Sequence, residues 1–298
     1  EDHLVEMDTD DLPLINKNYN TVTQTWSNFY CTHKFWCTGD LGLFIVVLGL
    51  SFYALYVYLI ALCLQTLALE DHKYIQAGLY AVGILCIFPL YITSYLRTAF
   101  TDPGTVPEDT SDFEAVDMRD ETQKYCKKTG LWKPPRSHFD SVTRRLVLRM
   151  DHYCPWVKTT VGFRNYKFFV LFLFWTSIIA VYVGITVGIY FLTAGKKFTD
   201  ILSTTNGRQI LAVEVIVSIF GFVLIPFCGA HIGMTLKNET TIEGFFRENP
   251  YDIGRRKNWE QTMGKNPWLW FMPVPTTQGN GLVYPTNLDL EDTGTSIV

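Results

Sequence analysis

"LGLFIVVLGLSFYALYVYLIALCL", Leu41–Leu64, contains no charged side chain. A run of that length can cross a hydrocarbon core of about 30 Å as a helix, which takes roughly 20 apolar residues. Three more blocks read the same way: Ile75–Tyr95, Phe168–Leu192 and Ile210–Ala230. One such block is compatible with a buried helix of a soluble protein. Four within 298 residues, in a chain that is 48% hydrophobic, specify a polytopic membrane protein. Glu214 alone within the blocks carries a charge at neutral pH. It reads either as an interfacial position near one span end or as a buried polar group.

The expected fold is therefore an all-α integral membrane protein with four transmembrane helices. Its parts are an N-terminal segment 1–40, helices 1–2 at 41–95, a loop 96–167, helices 3–4 at 168–233, a module 234–285 and a disordered tail 286–298. The loop Leu96–Lys167 holds 13 Lys and Arg and the tail after Ala230 holds 6, against 1 in Gln65–Tyr74 and 3 in Thr193–Gln209. The positive-inside rule places the long loop and both ends in the cytosol. The start, "EDHLVEMDTDD", lacks the basic opening and apolar core of a signal peptide. It does not begin with Met, which leaves open that the sequence is cut back.

Among seven cysteines, Cys63, Cys86 and Cys228 fall in spans and read as small apolar fillers. Cys31 and Cys37, just before the first span, are packing residues or palmitoylation sites. Asn238-Glu239-Thr240 is a glycosylation sequon on the expected cytosolic side, so it should stay bare. The chemistry concentrates in "RMDHYCPWVKTTVGFRNYKFF", Arg149–Phe169. A thiol attacks as thiolate, an imidazole can take its proton, and a carboxylate can fix the imidazole tautomer. Asp151, His152 and Cys154 supply those groups. Adjacency alone leaves a nucleophile and a structural cysteine both open, because neighbours on a strand point apart.

The pattern "DHYCPWV…VGFRNYKFF" resembles the signature of the DHHC-type protein S-acyltransferases (palmitoyltransferases), with Tyr153 in place of the second His. "TDPG" (Thr101–Gly104), "KPPRSH" (Lys133–His138), "TTIE" (Thr240–Glu243) and "NPYDIGRRKNWEQTMG" with "WLWFMPVP" match further family motifs in order. The resemblance implies that Cys154 takes a long acyl chain from acyl-CoA as a thioester, palmitate above all, and passes it to cysteines of membrane-associated proteins. His152 would be the base, Asp151 its orienting partner, Thr241 a support for Asp151, Asn258 a brace for the TTxE segment, and Trp156 a residue at the mouth of an acyl cavity. A long acyl chain gains about 0.8 kcal/mol per buried CH₂, so chemistry at the membrane face suits it. The expected location is a multi-pass protein of an endomembrane (Golgi, ER or vacuole) or the plasma membrane. A catalytically inactive membrane scaffold or adaptor of the same family is the alternative, and another membrane acyltransferase or a thioesterase the rival enzyme class.

The resemblance also places two structural zinc sites in the loop, and here the sequence departs from it. The first ligand set falls on Cys126, Thr129, Phe139 and Leu146, the second on Asp140, Thr143, Tyr153 and Thr160. A structural zinc takes four ligands, mostly Cys and His. The expectation is no metal, no other cofactor, and a small packed core instead. A structural zinc supplies roughly 10–16 kcal/mol, a buried Leu or Phe about 1.5–3, so the module should lean on its tethers, the C-terminal tail and the bilayer. Lys133, Arg136, Arg144, Arg145 and Arg149 form a basic cluster for the phosphates of CoA, for anionic headgroups, or for both. Nucleic acid is not expected in a chain of net charge −4. Lys158 reads as a solvated surface lysine or as a charge near the site. The final Thr-Ser-Ile-Val could suit a carboxylate-capturing domain.

Overall fold

The computed structural model describes residues 41–106, 125–245 and 248–288. Cys31, Cys37, the N-terminal segment and the last ten residues lie outside them. Helix α1 (Leu41–Tyr56) continues directly into a wider winding, Val57–Glu70, whose end is marked by Asp71 N–H donating to Thr66 O five residues back. Helix α2 is Tyr74–Phe100, α3 Tyr166–Thr193, α4 the short Phe198–Ser203, α5 Thr205–Lys237 and α6 Arg255–Met263. Four helices are long and apolar enough to span a membrane: α1 with its extension, α2, α3 and α5. All four apolar blocks fall inside them.

The helices outrun the blocks because a helix ends where a cap ends it, not where hydrophobicity does. Thr204 starts α5 by accepting the Gly207 N–H at 3.0 Å, and Asn238 stops it in the left-handed conformation, φ 51°. Glu214 is thereby the third turn of α5, half-buried beside Gly184, with the Ser218 hydroxyl donating to it at 3.3 Å. Cys63 and Cys228 are buried between helices, whereas Cys86 faces outward.

Helix α3 is the central post, packed most extensively against α5 and α2. The buried residues form one apolar cluster around Cys154, Tyr95 and Phe169, and a second deeper one around Leu62, Val187 and Ile210. The all-helical expectation is met in the membrane part. The loop adds two antiparallel hairpins, β1 (His138–Asp140) with β2 (Arg145–Val147), and β3 (His152–Cys154) with β4 (Thr159–Val161).

Short links tie these hairpins to the helix ends. After α2, Asp102 accepts the Gly104 N–H at 2.8 Å and pairs with Arg145 at 2.9 Å. Gly104 takes φ 90°, which a side chain would strain, and its carbonyl accepts the Leu148 N–H. Asn165, fully buried at the start of α3, donates to Thr98 O on α2 and to Thr160 O on β4. Side-chain and backbone bonds together pin the hairpins to α2 and α3.

Candidate active site

Strand periodicity puts His152 and Cys154 on one face of β3. Asp151 sits just before the strand rather than within it, so its side chain can turn back to its neighbour. His152 Nδ1 and Asp151 Oδ2 are 2.6 Å apart, with the carboxylate fully buried. Nδ1 donates to that carboxylate, which leaves Nε2 for the thiol. Burial works against a charged imidazole, yet the hydrogen bonds to Asp151 and Cys154 and the Asp151 charge outweigh it and push His152 up to about 9. Burial also opposes charge on Asp151, but the His152 hydrogen bond and the nearby imidazoles hold its carboxyl below the usual range.

Asp151 is held from a distant part of the chain. Thr241 N–H donates to Asp151 Oδ1 at 2.9 Å, and the Thr241 hydroxyl donates to Asp151 O at 2.7 Å. Glu243, two residues on, binds Arg136 through both oxygens at 2.8 and 2.6 Å and accepts the Thr240 N–H at 3.0 Å. Asn258 on α6 donates to Leu236 O at the end of α5 and to Asp252, while its own oxygen accepts the Ile253 N–H. These bonds fasten the C-terminal module to the root of the Thr240–Glu243 turn.

Cys154, 7% exposed, opens onto an apolar cavity of about 560 Å³. All four spans contribute to its wall, including Ser51, Tyr91, Phe172 and Val217, with His152, Pro155 and Trp156 at the end nearest the thiol. Trp156 is 45% exposed and its carbonyl accepts the Tyr95 hydroxyl at 2.9 Å. A thiol beside a carboxylate-held imidazole thus faces a hydrocarbon-lined chamber.

The basic cluster divides. Arg136 and Arg149 are buried, which corrects their assignment to phosphate. Arg136 binds Glu243 and Asn238 and stacks between the rings of Tyr251 and Tyr284, at 4.3 and 4.8 Å. Arg149 stacks on Tyr166 and donates to Asn238. Arg145 pairs with Asp102, and Lys133 and Arg144 stay nearer solvent. Lys158 is 2% exposed, so its reading as a solvated surface lysine is also corrected. Charge alone suggested a surface; apart from Tyr166, the aromatic and amide partners that bury these arginines come from about 90 to 150 residues away. The sequon residue Asn238 is 1% exposed and uses both ends of its amide, which closes it to a glycan on whichever side it lies.

Sequence reasoning missed His231 on α5. It is fully buried, hydrogen-bonded to Tyr166 at 3.2 Å and packed 6.2 Å from the His152 ring. A lone His just past the end of an apolar block gave no signal. The donor chemistry at the two implied metal sites does not fit zinc. Cys126 and Leu146 lie in an apolar cluster with Phe139 against it, and the second set offers oxygen atoms with one carboxylate. Among the described residues no three His, Cys, Asp or Glu side chains gather as a metal site.

Residues 119–248 match the family profile described as DHHC palmitoyltransferase. The chain is 33% identical to "Probable protein S-acyltransferase 12" of Arabidopsis thaliana, over 86% of this chain and 98% of that protein. It is 31% identical to "Palmitoyltransferase ZDHHC15" of Xenopus laevis, over 79% of each. With "Palmitoyltransferase ZDHHC20" of Homo sapiens it shares 28% over 88% of this chain and 80% of that one.

Proposed function

Because this chain belongs to the DHHC palmitoyltransferase family, we propose that it transfers a long acyl group from acyl-CoA to protein cysteines through an acyl-Cys154 intermediate. The observation that carries this reading is the hydrogen-bonded Asp151–His152 pair beside Cys154 at the mouth of an apolar cavity. In the fraction of molecules whose His152 is neutral, which grows as pH rises towards 9, Cys154 Sγ attacks the thioester carbonyl as its proton passes to His152. The tetrahedral adduct collapses, the CoA thiolate leaves, and His152 returns the proton to it. A substrate thiol then gives its proton to His152 and attacks the acyl-Cys154 carbonyl, and Cys154 leaves and is reprotonated. Asp151 stabilises the imidazolium in both steps.

Palmitoyl is the acyl group this reading favours, since the cavity is lined by side chains of all four spans and keeps a long tail out of water. The charge bias of the loops supports a cytosolic active site and cytosolic ends. Membrane-associated proteins with cysteines near the bilayer surface are the acceptors. On this reading Lys133 and Arg144, which keep contact with solvent, would meet the phosphates of CoA.

The test is to incubate the purified full chain with labelled palmitoyl-CoA and look for hydroxylamine-sensitive label. Label on the parent and none on Cys154→Ser supports the enzyme. No label on either protein favours the scaffold reading.

A further inference from the structure

The second implied ligand set, Asp140, Thr143, Tyr153 and Thr160, is where the structure parts most clearly from a metal site. Asp140 closes β1 and is 2% exposed. Its Oδ2 accepts the Thr143 hydroxyl at 2.6 Å and the Thr143 N–H at 3.2 Å, and its Oδ1 accepts the Val142 N–H at 3.0 Å. Its fourth donor is the hydroxyl of Thr160, which comes from the other hairpin. Thr160 is fully buried on β4, and the strand register sets it opposite Tyr153. Three of the four positions therefore meet through oxygen atoms, and the fourth faces one of them across the ladder. Four donors on one carboxylate satisfy a buried anion without a cation of its own.

We infer that Asp140 is a metal-independent clasp that joins the two hairpins and, through Thr160, positions Cys154 for acyl transfer. The route is short. Thr160 lies between Thr159, the register partner of Cys154, and Val161, whose carbonyl accepts the Asp151 N–H at 2.9 Å. A shift of β4 displaces the nucleophile and the orienting carboxylate together. The other implied site is filled differently, by packing of Cys126, Leu146 and Phe139 with Val106 and Leu282. One site has become an apolar plug and the other a hydrogen-bonded knot, so neither depends on zinc. Asp140 is a positioning residue, because it reaches the reacting atoms only through β4.

The inference rests on the acyltransferase reading for its rate measurements, but its metal and stability arms stand apart from it. The full chain is purified in detergent, treated with 1,10-phenanthroline, and compared with untreated protein for metal content, melting temperature and Cys154 labelling. The expected result is substoichiometric zinc and no change in melting or labelling. Asp140→Ala and the milder Thr160→Val are then assayed at varied palmitoyl-CoA. Each should lower kcat, Asp140→Ala by about tenfold or more and Thr160→Val by several-fold, with KM nearly unchanged because the cavity is intact. Thr160→Val keeps the side-chain shape and removes one donor, so it reports even where Asp140→Ala does not fold.

The variant carrying Asp140→Cys, Thr143→Cys, Tyr153→His and Thr160→Cys should bind one zinc and become chelator-sensitive, since those positions converge. Zinc at one or two per chain in the parent, or a parent melting temperature that falls with the chelator, overturns the inference. So does a Thr160→Val protein with unchanged kcat. A parent that is unlabelled yet chelator-indifferent refutes the acyltransferase reading and the positioning of Cys154 with it, and supports the metal-independent joining of the two hairpins.

Discussion

Thr241 holds Asp151 at two places, its N–H on the carboxylate and its hydroxyl on the carbonyl, at 2.9 and 2.7 Å. The residues are 90 positions apart, so the carboxylate that holds His152 is itself oriented by the chain that follows the last span. Thr241→Val keeps the backbone bond and strands the Asp151 carbonyl. An unsatisfied buried acceptor costs about 1–3 kcal/mol. If it is felt mainly in the orientation of Asp151, the single-turnover rate of Cys154 acylation should fall by about tenfold. Asp151→Asn should fall much further, since it removes the charge that supports the imidazolium. Equal rates for Thr241→Val and the parent would remove Thr241 from the machinery.

The Asp151–His152 pair makes a signed prediction for pH. His152 is raised to about 9, against an ordinary value of 6.5. A raised base contributes stability fully below its unfolded value and loses it as pH climbs through the folded one. The pair's contribution should therefore be complete near pH 6, decline above pH 6.5 and be gone above about 9. At the acid end it fades as Asp151, held below its ordinary 3.8, takes up a proton. A shift of that size corresponds to about 3 kcal/mol between the charged and neutral imidazole. Melting temperatures of the parent and of Asp151→Asn should differ most near pH 6 and converge by pH 10. A gap that widens with pH would reverse the assignment.

How much of this was legible in the residues follows from the range of each interaction. The spans were, because bilayer crossing is a local demand on composition, and Leu41–Leu64 meets it without a neighbour. The positions of Asp151, His152 and Cys154 were marked by local pattern, and β3 brings the last two to one face. The fates of Arg136, Arg149 and Lys158 were not. A buried arginine differs from an exposed one only in its partners, and those of Arg136 are Asn238, Glu243, Tyr251 and Tyr284. The packed core expected at the lost ligand positions is found at Leu146 and Phe139. At Asp140 the expectation missed a polar solution, since a single Asp among threonines declares no convergence until the hairpins meet.

The divided basic cluster yields a contrast between two kinds of substitution. Arg136 is bidentate to Glu243 and sandwiched by two rings, a geometry that lysine cannot reproduce. Arg136→Lys should cost stability, and Glu243→Ala about 3–5 kcal/mol by leaving a buried cation unpaired. Both should appear as lowered melting temperature and yield. Lys133→Ala and Arg144→Ala should leave melting unchanged within error and raise KM for palmitoyl-CoA several-fold, more at low salt than at high. A KM effect for Arg136→Lys without loss of stability would return it to the phosphate site.

Gly162 sits between the turn after α2, the end of β2 and the start of α3. A Cβ there would lie 2.7 Å from Val147 Cγ1 and 3.0 Å from both Leu148 O and Pro103 O. Two of those atoms are backbone and the third belongs to a fully buried β-branched side chain. None can yield without moving the segment that carries it. Gly162→Ala should therefore push the Asp102–Gly104 turn away from the hairpins and cost about 1–3 kcal/mol as an overpacked site. The Arg164 N–H to Pro103 O bond at 3.0 Å and the Asn165 bonds to Thr98 and Thr160 are next to feel it. Acylation of Cys154 should fall with stability, and slower growth temperature should restore folded yield before it restores rate. Gly233→Ala on α5 is the control, since a Cβ at Gly233 meets nothing within 4 Å and its φ is not positive. A Gly162→Ala protein as stable as that control would mean that the turn and the hairpins are less tightly joined than these distances require.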